Sequence, residues 1–287
     1  YWEPSFPKKY NLSIIKTLSL VIGKVFGNIL LTIRALPAII KFKPTIIHLH
    51  TPLQIILGIF AKLYLKCPLV LTFHGTDFNR LKENKIQLSI INKFVDHTIC
   101  ISNDIYNEMK NISPREYVSY VPNGVDTLLF RNTNINKLDQ IISVGRLVWQ
   151  KGYIYLVRAF KKYLEYYPDT KLLIIGDGVE KNNIVSEIKN MGLENSITLT
   201  GLLPQKLIVK KLNESKFFVM SSISEGFPKA LIEAMACGLP CITTDVGACP
   251  SVVQNSGIIV EKESISQLSQ AMIKMMKENS AREKYSI

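Results

Sequence analysis

Short β-branched runs alternate with helical stretches along most of this 287-residue chain. Residues 45–50 read as a buried strand, 52–65 as a helix and 69–74 as the next strand, with further strands expected at 97–101 and 117–121. Pro122-Asn123-Gly124 is a turn signal, and the polar stretch 131–137 has the character of a linker. The pattern then restarts, with strands expected at 140–144, 171–175, 197–200, 217–220, 241–244 and 258–260. Strands separated by helices predict βαβ units and parallel sheets. The expected fold is therefore α/β, with two Rossmann-like domains at residues 1–133 and 134–287. In such sheets ligands lie beyond the carboxyl ends of the strands.

Ahead of the first strand, residues 18–33 are strongly apolar but interrupted by Lys24. The run is shorter than the roughly 20 residues that span a bilayer. Two readings stand: a core-facing helix of the first domain, or an amphipathic helix whose Lys16, Lys24 and Arg34 meet an anionic membrane surface.

Composition narrows the partners. A hydrophobic fraction of 47% with 20% charged residues is that of a globular protein. The net charge of +12 favours an anionic partner: a nucleotide sugar, an acidic membrane or a nucleic acid. The basic residues are dispersed and no nucleic-acid motif accompanies them, so nucleic acid is set aside. Five cysteines form no C-x-x-C pair, which fits reduced, buried thiols in a cytosolic protein.

The segment Glu225-Gly226-Phe227-Pro228-Lys229-Ala230-Leu231-Ile232-Glu233 places two carboxylates around a helix start. Pro228 suits the first helical position, where a missing N–H costs nothing, and Gly238 supplies the stop. Glu225 then lies in the loop before the helix and Glu233 on its second turn. The first-turn N–H groups of Lys229 and Ala230 are expected to point outward toward an anion or polyol. Carboxylates accept hydrogen bonds from vicinal hydroxyls, so this arrangement suits a sugar carried on a nucleotide diphosphate. Upstream, Val144-Gly145-Arg146 follows a strand, and Lys151-Gly152 opens the next helix. Two cations there can neutralise charge developing on a leaving diphosphate. Phe73-His74-Gly75-Thr76-Asp77 follows a first-domain strand, and Gly176-Asp177-Gly178 forms another loop at a strand end.

The run from Ser224 to Pro240, together with Gly145-Arg146 … Lys151-Gly152, closely resembles the signature of the retaining family-4, or group 1, glycosyltransferases. The resemblance implies the GT-B fold, two Rossmann-like domains facing across a cleft. It implies transfer of a sugar from a UDP- or GDP-type donor to an acceptor hydroxyl with retention, and with no metal or other cofactor. His74, Arg146, Lys151 and Glu225 match the catalytic positions. Gly145, Gly226, Phe227, Pro228, Lys229, Ala230 and Glu233 match donor-binding positions, with Glu225 on the transferred sugar and Glu233 on the ribose diol. Asp77, His48 and His50 are secondary candidates for acceptor contacts. A metal site at Cys237, Cys241 and Cys249 is set aside, because Cys237 falls inside the matching run and Cys241 directly follows it. The absence of an isolated D-x-D triplet agrees with a metal-independent reaction. The acceptor would be a saccharide or lipid-linked saccharide, and the setting cytoplasmic, peripheral on the membrane's inner face. Relative to the family the sequence reads as an internal fragment, without the usual first strand and last helix. Two other functions fit parts of the pattern: a same-fold nucleotide-sugar epimerase, and a non-catalytic sugar-nucleotide-binding scaffold.

Overall fold

The computed structural model describes residues 27, 30, 32–113 and 117–277. Most of the apolar stretch 18–33, with Lys16 and Lys24, lies outside the described residues. Contacts divide the chain into two compact units, residues up to 101 with 105–121, and residues 102–104 with 122 onward.

In the first unit, β1 (Ile47–Leu49), β2 (Leu69–Phe73), β3 (His97–Cys100) and β4 (Val118–Tyr120) form a parallel sheet in that order. The helix expected at 52–65 begins as a 3-10 turn, Pro52–Gln54, and becomes α1 at Ile55–Leu65. β2 is the most buried strand: Leu69, Leu71 and Phe73 are wholly inaccessible and pack with Phe78, Leu81, Ile91 and Met109. Among the described residues β1 is paired on one side only, by β2.

The second unit holds β5 (Gln140–Val144), β6 (Lys171–Ile175), β7 (Ile197–Leu199), β8 (Phe217–Met220), β9 (Cys241–Thr244) and β10 (Gly257–Val260). All pairings are parallel and the order is β10-β9-β8-β5-β6-β7. Successive strand residues point to opposite faces, and both faces are buried here. Ile141, Ile174, Phe217 and Val219 pack on one side with Phe160 and Met272; Ile142, Leu173, Phe218 and Met220 pack on the other with Leu212 and Leu231. Phe130 is buried in this second core, with Val125 and Leu129 against it. That packing draws residues 122–133, which the sequence pattern assigned to the end of the first domain, into the second unit.

Candidate functional site

The second unit's strand order fixes where a site belongs. From β5 the chain steps outward to β6 and β7, then returns to the other side of β5 as β8. The connections leaving β5 and β8 diverge there, opening a crevice at the carboxyl ends of the two strands. β5 runs into Gly145 and Arg146, and β8 into Ser221 and the loop that reaches Glu225. The sheet thus brings Arg146, Lys151 and Glu225 to one crevice.

Lys151 Nζ donates to Glu225 Oε1, and Ser222 Oγ donates to that same oxygen at 2.7 Å. The Glu225 side chain is 8% exposed and that of Lys151 20%, so the pair is largely dry and its charges neutralise each other. Both donors use Oε1; among the described residues no protein donor reaches Oε2. Arg146 is exposed and its side chain enters no ion pair among the described residues. The crevice therefore presents an open carboxylate oxygen, and the loop leaving β5 carries an exposed guanidinium with no ionic partner among the described residues.

The loops carrying these groups are bound to one another through their backbones. Gly145 N–H donates to Ile175 O at 3.0 Å, Leu147 N–H to Asp177 O at 2.9 Å, and Ile223 N–H to Gln150 O at 2.7 Å. Ser221 Oγ donates to Lys151 O at 3.0 Å, and Thr244 Oγ1 to Ser222 O at 2.6 Å. Gly152 has φ +62, and a Cβ there would collide with the Ser221 carbonyl oxygen, so glycine alone permits this approach. Lys151 ends a 3-10 turn, Trp149–Lys151, and α5 (Tyr153–Tyr163) begins two residues later; Lys151 does not itself open the helix as expected. Beneath Gly145 sits the Tyr153 hydroxyl, 3.0 Å from where a Cβ would be. Burial, with Glu225 nearby, pushes the Tyr153 phenol far up, against the opposing effect of its hydrogen bond to Ser143. It remains a neutral prop under the loop.

The helix after Glu225, α8, spans Lys229–Ala236. Two details differ from the sequence reading. Pro228 precedes the helix, with ψ 78, and does not occupy its first turn. The Phe227-Pro228 turn folds back so that Lys229 N–H donates to Phe227 O at 3.1 Å and is not available to a ligand. The N–H groups of Gly226, Phe227 and Ala230 meet no protein acceptor among the described residues. Glu233 lies half-buried on α8, and burial holds its carboxyl above the usual range, partly offset by Lys229. Gly238, at φ +71, ends the helix as its position predicts.

Asp177 accepts from Gly178 N–H at 2.7 Å and from Lys181 Nζ at 3.3 Å, so the carboxylate of the Gly176-Asp177-Gly178 loop is engaged by its neighbour and by the helix that follows. His74 belongs to the first unit, just past β2, where its N–H donates to Asp77 Oδ1 at 2.9 Å. All five cysteines are free and buried. Among the described residues no three His, Cys, Asp or Glu side chains are grouped to hold a metal, and no helix is long and apolar enough to cross a membrane. Sequence reasoning alone misses Ser222 and Tyr153. The Ser-Ser pair at the end of a buried strand is the one local cue to Ser222, while Tyr153 has the pattern of any core aromatic.

The family described as group 1 glycosyl transferases matches residues 125–287, and that described as glycosyltransferase family 4 matches residues 2–128. The UDP-Gal:alpha-D-GlcNAc-diphosphoundecaprenol alpha-1,3-galactosyltransferase of Escherichia coli is 30% identical over 266 residues, covering 82% of this chain and 67% of that protein. A human phosphatidylinositol N-acetylglucosaminyltransferase subunit is 29% identical over 249 residues, covering 82% of this chain and 50% of its own length. This chain thus spans half to two thirds of these two relatives. Among solved structures, Anabaena Alr3699/HepE in complex with UDP and glucose superposes with a TM-score of 0.75 at 19% identity, over 87% of this chain and 74% of that one. The likeness establishes the GT-B type of fold, with its two parallel-sheet α/β units. With the family match running through the whole second unit's sheet and both loops of its crevice, the chain belongs to the group 1 glycosyltransferases.

Proposed function

We propose that the second unit binds a nucleotide diphosphate sugar, and that the full protein transfers the sugar with retention to a hydroxyl of a saccharide or lipid-linked acceptor. The observation that carries this reading is the Lys151–Glu225 pair at the β5/β8 crevice, with Glu225 Oε2 left open and the exposed Arg146 on the loop that leaves β5. Arg146 supplies net positive charge to the diphosphate, and the Lys151 ammonium, held on Glu225, donates its remaining hydrogens to it, both strengthening as the leaving group gains charge in a dry crevice. Glu225 Oε2 accepts from hydroxyls of the transferred sugar. The open N–H groups of Gly226, Phe227 and Ala230 take sugar or phosphate oxygens, with Gly145 allowing close approach and Pro228 and Lys229 shaping the turn. Glu233 accepts from the ribose diol. His74 takes the part of the matching family histidine.

In the reaction the anomeric carbon's bond to the diphosphate oxygen breaks, and a bond to the acceptor oxygen forms on the same face. The acceptor proton passes to the leaving phosphate oxygen. The chain's own cations supply the charge balance, so we assign no metal. The names of the E. coli and human relatives point to lipid-linked acceptors, which favours glycolipid or polysaccharide assembly.

Calorimetry on the full-length protein tests the donor site, comparing UDP, GDP and their sugars, with Glu233→Ala as control. We expect one nucleotide to bind and the variant to lose it. A folded protein that binds neither removes the transferase reading. Binding with no turnover on any acceptor leaves a sugar-nucleotide scaffold, and release of an altered free sugar without acceptor indicates an epimerase.

A further inference from the structure

The first unit carries a histidine cluster of which the proposed function uses only His74. Side chains alternate along a strand, so His48 in β1 and His50 just beyond it share one face. His74 follows β2, the parallel neighbour of β1. The rings form a ladder: centroids are 4.3 Å apart for His48 and His50, tilted by 31°, and 5.5 Å apart for His50 and His74, inclined by 29°. At one end His48 Nε2 lies 2.7 Å from Thr72 Oγ1 on β2; at the other the backbone N–H of His74 donates to Asp77 Oδ1. In the middle, His50 Nδ1 stands 3.2 Å from His74 Nε2.

That last contact links the protonation states of two rings. A neutral imidazole has one N–H donor and one acceptor nitrogen. When His50 Nδ1 donates, His74 must carry its proton on Nδ1; when His74 Nε2 donates, its Nδ1 is an acceptor. The hydrogen bond therefore couples the ring rotation and tautomer of His74 to those of His50. Partial burial, then the neighbouring His50 and His74, hold His48 below the usual imidazole range, which favours an uncharged ring at that end of the ladder. Three solvated surface histidines would need none of this alignment, and two imidazolium rings could not make the 3.2 Å contact.

We infer that His50 is a positioning residue for His74, setting its ring orientation and tautomer through the Nδ1–Nε2 hydrogen bond. The inference rests on the part given to His74 above. Asparagine places its amide near where histidine Nδ1 sits, whereas glutamine reaches the Nε2 position. In the full-length enzyme we expect His50→Ala to lower kcat roughly 10- to 100-fold with the donor KM unchanged. His50→Asn should restore most of the rate and His50→Gln little. The 15N shifts of the His74 ring should change tautomer in His50→Ala and keep the wild-type pattern in His50→Asn. His50 is exposed, so all three variants should melt as wild type does. If His74→Ala abolishes turnover while His50→Ala changes neither kcat nor the His74 ring shifts, the inference alone is overturned. If His74→Ala leaves kcat unchanged, the role of His74 falls and the inference with it.

Discussion

The strand ends of the two units are built on opposite plans. In the second unit they carry full charges, Lys151 against Glu225 and the exposed Arg146 after β5, on loops joined to each other by backbone hydrogen bonds. In the first they carry three imidazoles, and His74's loop is closed by its own Asp77, with side chains bridging the ends of β1 and β2. Fixed charges aimed at a diphosphate need rigid loops, because an electrostatic site works only if its dipoles and charges are already in place. The imidazoles of the first unit are instead aligned by ring contacts and side-chain hydrogen bonds between two adjacent strand ends.

Three substitutions test that contrast in decreasing order of effect. Arg146→Ala removes the exposed cation. Steady-state kinetics should show kcat lower by about 10²-fold or more, with a smaller change in donor binding. Weaker donor binding at unchanged kcat would mean that Arg146 grips the ground state only. Ser222→Ala takes away the second donor to Glu225 Oε1 without touching charge. Because the hydroxyl is buried and its acceptor ionised, unfolding should become easier by about 1.5–3 kcal/mol in denaturant titrations. An unchanged midpoint would show that Lys151 alone fixes Glu225.

Glu233→Gln should have the smallest effect, and one that depends on pH. Burial raises the folded-state pKa of Glu233 above its unfolded value. The protonated form therefore contributes stability below the unfolded pKa, and that contribution is lost as pH rises through the folded value. Without ligand, the glutamine variant should melt about a degree or two above wild type at neutral pH, the gap closing toward about pH 4. A gap that persists in acid would point to packing as its source.

Much of this was legible in the sequence, and the limits are instructive. The strand runs were readable because both faces of a covered parallel sheet demand apolar residues, as Ile141-Ile142 and Phe217-Phe218 illustrate. The loop chemistry at Arg146, Lys151 and Glu225 was readable because those residues lie in contiguous motifs. What escaped depended on partners distant in the chain or on exact backbone angles. Ser222 gains its meaning from a carboxylate already claimed by Lys151. The turn at Phe227-Pro228 withdraws the Lys229 N–H through a bond that no composition rule foretells. Residues 125–130 carry no mark of which unit's core they join until Phe130 is seen inside it.

The placement of β8 beside β5 has a consequence for how the protein comes into being. Lys151 and Glu225 are 74 residues apart in sequence, and the strands that bring them together pair only after β6 and β7 have been made. Long-range parallel pairing carries a loop-closure cost before it returns any contact energy, which makes it slow. A chain growing from its N-terminus thus displays Lys151 with no carboxylate to meet it until β8 is synthesised and docks. The crevice is among the last features to form, and chains interrupted before β8 would hold both cations, Arg146 and Lys151, without the carboxylate of Glu225.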